Sequence, residues 1–322
     1  MAWPTDACRL TNCQLAVWAA WYMGEEPAVL KPLLGRELRK NGHGGWGVVD
    51  AHGVGVTCSK IDGALKWCHD AVKHFLAREA RAARMSVVVE VFGAFTRAFR
   101  EADAQKAQDY LGTRSREVQG IIPDLQINIP FYELKGIRSD SSHTNYNGAA
   151  TTGVAKREGR VSVDLSRRAE ALDAKCFGVH PPSVGPWQRA LNEAGGVRPL
   201  VFGQYGETSA GLDDLLQEIA TIGADQAADR YLLESPLAAV GVQRRLLRQR
   251  LVCCIAKAQS NVLLRRLHYC LPGWDAAEGR RMAAERSERR RRQEEAQARD
   301  SAGERRHGAG GEWDFRWDRS CR

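Results

Sequence analysis

The sequence predicts an α/β fold on a helix-strand-strand-strand-helix-strand-helix core, with additional C-terminal helices. Three observations carry this. Residues 62–83 place Leu65, Cys68, Val72, Phe75, Leu76 and Ala80 at helical spacing, and the β-branched run 86–92 follows directly. Two short apolar runs, around Ile121-Ile122 and Phe131-Tyr132, flank Asn128-Ile129-Pro130 and read as a hairpin of strands. Residues 197–205 (VRPLVFGQY) read as a buried strand ahead of a helix capped by Thr208-Ser209.

Taken in order, residues 1–60 form an N-terminal segment whose fold the pattern does not specify. Within it, 15–22 is apolar enough for a short buried helix, and 41–55 is a glycine-rich turn region holding His43 and His52. Asp62 is the natural N-cap of the first core helix, with Lys73, Arg78 and Arg81 on its polar face. Residues 97–112 read as a helical insertion between the first two strands. After the hairpin come a polar loop, 139–153, carrying His143 and Tyr146, and a charged helix, 161–175. A rigid connector through Pro181, Pro182 and Pro186 precedes the last strand. The final core helix runs through Leu215, Leu216 and Ile219, closing a domain over 61–236. Residues 237–272 are a basic helix whose Leu246, Leu247, Leu251, Ile255, Val262 and Leu263 suggest one face packed on that core. Residues 273–322 form a charged tail expected to be mobile: 280–306 is arginine, glutamate and alanine with almost no apolar content.

The formal charge of +8 is unevenly placed. Residues 238–322 hold 20 Lys and Arg against 11 Asp and Glu, a net of +9, and the rest of the chain is close to neutral. An excess confined to one end favours a polyanionic partner, with nucleic acid ahead of membrane. No apolar run approaches the 18 residues of a membrane span, and no secretory leader is read at the N-terminus. The nine cysteines are scattered and odd in number, unlike a secreted disulfide framework. A reducing, intracellular setting follows, nuclear for a eukaryotic source. Cys8, Cys13, Cys58, Cys68 and His69 invite a zinc reading, but Cys58 and Cys68 lack the two-to-four-residue spacing of structural zinc sites and Cys8 and Cys13 only reach its upper end, so zinc is disfavoured.

The chemistry sits in the hairpin. A two-residue turn centred on Asn128 and Ile129 sets Asp124 directly opposite Glu133, with Cβ atoms roughly 5 Å apart on one face. Glu133 and Lys135 share that face while Leu134 points the other way. Two opposed carboxylates repel, and a purely structural hairpin should avoid them. A divalent cation removes the penalty, since Mg²⁺ is held by one or two carboxylates together with phosphate oxygens. A neighbouring lysine then orients water and stabilises charge developing on a phosphate.

Pro123-Asp124 followed by Glu133-Leu134-Lys135 resembles the PD-(D/E)XK, or restriction-endonuclease-like, nuclease superfamily. The resemblance implies a metal-dependent endonuclease with Mg²⁺ (or Mn²⁺) on Asp124, Glu133 and the Leu134 carbonyl, and Lys135 acting on the water. The stretch from Cys68-His69-Asp70 through the valine strand to Pro123-Asp124 is similar, more narrowly, to the endonuclease end of non-LTR retrotransposon polyproteins. That likeness covers about residues 58–220 and departs at the Cys/His knuckle. The implied partner is DNA, or an RNA–DNA hybrid.

Gln204 and Tyr205, at the end of the fourth strand, are accessory candidates beside the active face, though an ordinary strand end explains them too. Glu79 is a candidate for the extra acid some members carry on the first helix, in competition with Glu90 and Glu117. His143 is an accessory candidate from its loop, a solvated histidine being the plainer alternative. Arg244, Arg245, Arg289, Arg290, Arg291 and Arg292 are candidate phosphate contacts, and Glu285, Glu288, Glu294 and Glu295 make a salt-bridged solvated helix an equal reading of the tail run. The alternative function is a catalytically inactive nuclease fold that binds nucleic acid through its basic C-terminal region.

Overall fold

The computed structural model describes residues 9–39, 47–58, 64–112, 120–137, 150–231, 235–270 and 288. It is a mixed α/β chain, mostly helical, with one four-stranded mixed sheet. The elements are α1 (Asn12–Met23), α2 (Val54–Cys58), α3 (Ala64–Ala82), β1 (Val87–Val89), α4 (Glu101–Gly112), β2 (Leu125–Ile127), β3 (Phe131–Gly136), α5 (Ala150–Phe177), α6 (Pro186–Glu193), β4 (Val197–Phe202), α7 (Ala210–Ile222), α8 (Ala224–Tyr231) and α9 (Pro236–Arg266).

The strands lie in the order β1-β2-β3-β4. β1, β2 and β3 form an antiparallel meander, and β4 returns parallel to β3 after α5 and α6. Period-two alternation sorts the side chains. Leu125, Ile127, Tyr132, Leu134, Leu200 and Phe202 face α3, α7 and α9 in the main core, whereas Val197 and Val201 face α5 and α6 in a second core around Trp187. The sheet is thus covered on both sides. Helix ends are set locally. Ser209 and Ser235 accept from the backbone N–H groups of Leu212 and Ala238 to cap α7 and α9. Asp173, from α5, accepts from the backbone of Trp187 and Gln188 and so caps α6 across the gap.

α9 is the spine. It packs on α3, α7 and α8, and also on α1, where Leu263, with Leu267 just beyond the helix, shares a buried cluster with Val17 and Trp21. The N-terminal segment is therefore tied to this helix rather than to the sheet. Gln14 donates to Asn261, Ser260 donates back to the Gln14 carbonyl, and buried Arg266 donates to the Val56 and Thr57 carbonyls.

Several boundaries differ from the sequence reading. The β-branched run supplies only three strand residues, because Glu90 turns into the left-handed region at φ 53°. Ile121 and Ile122 precede β2 rather than forming it, and the fourth strand ends at Phe202, not at 205. The charged helix is longer than 161–175, running for 28 residues. α1 is less buried than expected: Val17 and Trp21 face inward, but Leu15, Tyr22 and Met23 are exposed. Among the described residues no helix is long and apolar enough to cross a membrane. The tail from 273 lies, apart from Glu288, outside the described residues.

Candidate active site

The hairpin turn uses Asn128 at φ 54°, a conformation asparagine adopts more readily than most residues, and Ile127 N–H closes it on the Pro130 carbonyl. The register pairs Leu125 with Tyr132, so the next position outward sets Asp124 across from Glu133. Beyond that point the ladder opens. Leu134 N–H donates at 2.8 Å to the Asp124 Oδ2 carboxylate instead of to a β2 carbonyl. The Glu90 and Val91 N–H groups bond the Asp124 and Pro123 carbonyls, fixing the Pro-Asp backbone from the other side.

α3 completes the site from across the sheet. His69 Nε2 lies 3.1 Å from Asp124 Oδ2 and 3.1 Å from the Leu134 carbonyl oxygen. Its Nδ1 faces Asp70 Oδ1 at 3.4 Å. One turn on, the Lys73 ammonium, 2% exposed, donates to Asp70 at 3.0 Å and to Glu90 at 2.7 Å. Lys135 donates to Glu133 at 2.5 Å. His69, Asp70, Lys73, Glu90, Asp124 and Lys135 border a cleft of ≈300 Å³, with Lys66 and Phe92 also in its walls; Glu133 and Leu134 stand behind this lining.

Burial and pairing oppose each other here, and pairing wins for most groups. Burial would raise Asp124, but the hydrogen bond and charge of His69, with help from Leu134 N–H, hold it below the usual carboxylate range. Burial would lower His69, but Asp124 and Asp70 hold it above the ordinary imidazole value. Asp70 is held low and Lys73 high in the same way, each outweighing its own burial through the other's charge and, for Lys73, Glu90. Glu133 is the exception. Its burial pushes it up, and Lys135 only partly offsets that against the added repulsion of Asp124.

The two carboxylates, the lysine and the Leu134 carbonyl are thus gathered at one opening of the sheet. Among the described residues, no three His, Cys, Asp or Glu side chains cluster tightly enough to chelate an ion. Asp124 Oδ2 and the Leu134 carbonyl oxygen both meet His69 Nε2, at 3.1 Å each, while Glu133 is turned to Lys135. This donor set suits a hard cation that takes backbone and carboxylate oxygens and keeps several waters. Comparison with family models, with curated proteins and with solved structures finds no match.

The accessory candidates separate. Glu90 lines the cleft. Glu79 does not: its buried carboxylate is taken by Arg78 and by Arg250 of α9 at 3.1 Å, which makes it a tie between helices. Gln204 is buried in the turn after β4, and Tyr205 packs toward Tyr22 of α1; neither borders the cleft. Glu117, His143, Arg289, Arg290, Arg291 and Arg292 lie outside the described residues. On α9, Arg245 is exposed and Arg244 half-buried. Neighbouring arginines serve the fold, with Arg248 on Asp213, Arg250 on Glu79 and Arg265 over the Trp67 ring. The sequence reading missed His69 as a site residue. Its signal lies in Cys68-His69-Asp70, a run that in the sequence supports only a zinc reading and a family likeness.

Proposed function

We propose that this chain is a metal-dependent DNA endonuclease on a restriction-endonuclease-like core. The observation that carries the reading is the meeting of Asp124, Glu133, the Leu134 carbonyl and Lys135 where β2 and β3 part, beside an open cleft. A helix, three meandering strands, a helix and a parallel fourth strand in that order support it.

In this reading Asp124, Glu133 and the Leu134 carbonyl hold Mg²⁺ or Mn²⁺. When bound, the ion polarises the scissile phosphate and lowers the pKa of water. Asp124 stays ionised across the neutral range because its pKa is depressed, so it is ready to bind a cation without first losing a proton. Lys135, a third exposed at the cleft and held by Glu133, orients the attacking water and offsets charge building on the phosphate. Lys66 stands at the same opening and adds attraction for the backbone of a polyanion.

The test is nicking of supercoiled plasmid by purified protein. Mg²⁺ or Mn²⁺ should support cutting, EDTA should stop it, and Asp124→Ala should remove both cutting and metal binding. Cutting that survives Asp124→Ala would overturn the reading.

A further inference from the structure

We propose that His69 is a direct ligand of the metal ion and that its nitrogen tilts the site toward Mn²⁺ over Mg²⁺. The inference rests on the nuclease reading and adds a donor that the hairpin motif does not contain. Neighbouring ligands of an octahedral ion at about 2.1 Å lie about 3.0 Å from each other. His69 Nε2 stands 3.1 Å from both Asp124 Oδ2 and the Leu134 carbonyl oxygen, so the nitrogen fits a corner next to each of them once its proton, which these oxygens accept in the metal-free chain, is released to solvent. In this structure the set is two side chains and one backbone oxygen, Glu133 being turned to Lys135.

The surroundings of the ring are those of a ligand. Metal-bound histidines characteristically give their other ring nitrogen to a carboxylate, which fixes tautomer and orientation. Asp70 Oδ1 occupies that place at 3.4 Å from Nδ1. Asp70 is itself fixed by Lys73, a fully buried ammonium one turn along α3, and Lys73 is fixed by Glu90. Positions 69 and 73 share a helix face, so one stretch of α3 supplies both the donor and its support. The cleft beyond leaves room for the waters that complete such a sphere. An imidazole donor favours Mn²⁺ over Mg²⁺, because Mg²⁺ takes oxygen almost exclusively whereas nitrogen sites gain affinity along the first transition row.

The experiment is electron spin-echo spectroscopy of Mn²⁺ bound to the full chain, made with ¹⁴N- or ¹⁵N-histidine. Wild type should show modulation from a directly bound histidine nitrogen that changes with the isotope, a readout that requires no substitution. His69→Gln should lose the signal and at least about tenfold of its Mn²⁺ affinity, with a smaller loss for Mg²⁺. Asp70→Asn should keep the signal with weakened affinity. Far-ultraviolet circular dichroism confirms that each variant is folded. If Mn²⁺ binds wild type, is lost in Asp124→Asn and carries no nitrogen signal, the His69 inference falls and the nuclease reading stands. If wild type binds no Mn²⁺ at all, both fall.

Discussion

Lys73→Met probes the support of the site without touching the hairpin. The substitution keeps an apolar stem in the space of the lysine and removes only the ammonium, which makes two charged hydrogen bonds, to Glu90 at 2.7 Å and Asp70 at 3.0 Å. Such bonds are worth about 1.5–3 kcal/mol each when fully sheltered. Here the carboxylates are 43% and 29% exposed and regain water once the lysine is gone, so we take less than half of the sum, about 2 kcal/mol. For a chain of this size that lowers Tm by about 3 °C. The pH dependence has a definite sign. Asp70 is depressed in the folded state, so its share is present above the ordinary carboxylate value and fades as pH falls through the lowered one. Lys73 is raised, so its share is present below 10.5 and fades as pH rises through the raised value. Calorimetry of wild type and Lys73→Met at neutral pH and near pH 3 should show a gap that closes in acid. Equal Tm at neutral pH, or an undiminished gap in acid, would refute the claim that the buried ammonium braces this network.

Gly120→Ala should cost about 1–3 kcal/mol, read by urea denaturation, because its new methyl would overlap the buried Trp187 ring. Glu79→Gln should lower stability and leave plasmid cutting at the wild-type rate, since that carboxylate joins α3 to α9 outside the cleft. Replacing Arg289, Arg290, Arg291 and Arg292 with Gln should flatten the salt dependence of DNA affinity by up to about 3.6 units of slope if all four contact phosphate. An unchanged slope would mean that their glutamate neighbours already neutralise them.

The hairpin was legible because its determinants are local. Asn128 tolerates positive φ, Pro130 ends the turn, and alternation then assigns faces to Glu133, Leu134 and Lys135. The long apolar spacing of α3 and the serine cap of α7 were legible for the same reason. What failed to show depended on distant partners. Nothing in a run of valines announces that Glu90 will leave the strand to meet Lys73, 17 residues earlier. His69 acquires its place only when α3 crosses to Asp124, 55 residues away, and Glu79 loses its candidacy to Arg250, 171 residues away. The basic character of α9 was plain, but which arginines it spends on Asp213, Glu79 and Trp67 is settled by packing.

The motif lysine separates a working site from an inert fold. Single-turnover cleavage of a DNA duplex with saturating Mn²⁺ should be measured for wild type and Lys135→Met, with DNA and Mn²⁺ affinities determined on the same preparations. Lys135 lines the cleft and is held by Glu133, and its proposed work is confined to the transition state. The cleavage rate should therefore fall by about 100- to 1,000-fold while both affinities stay within about twofold. Equal cleavage rates for the two proteins would contradict the assignment of this site as a nuclease centre.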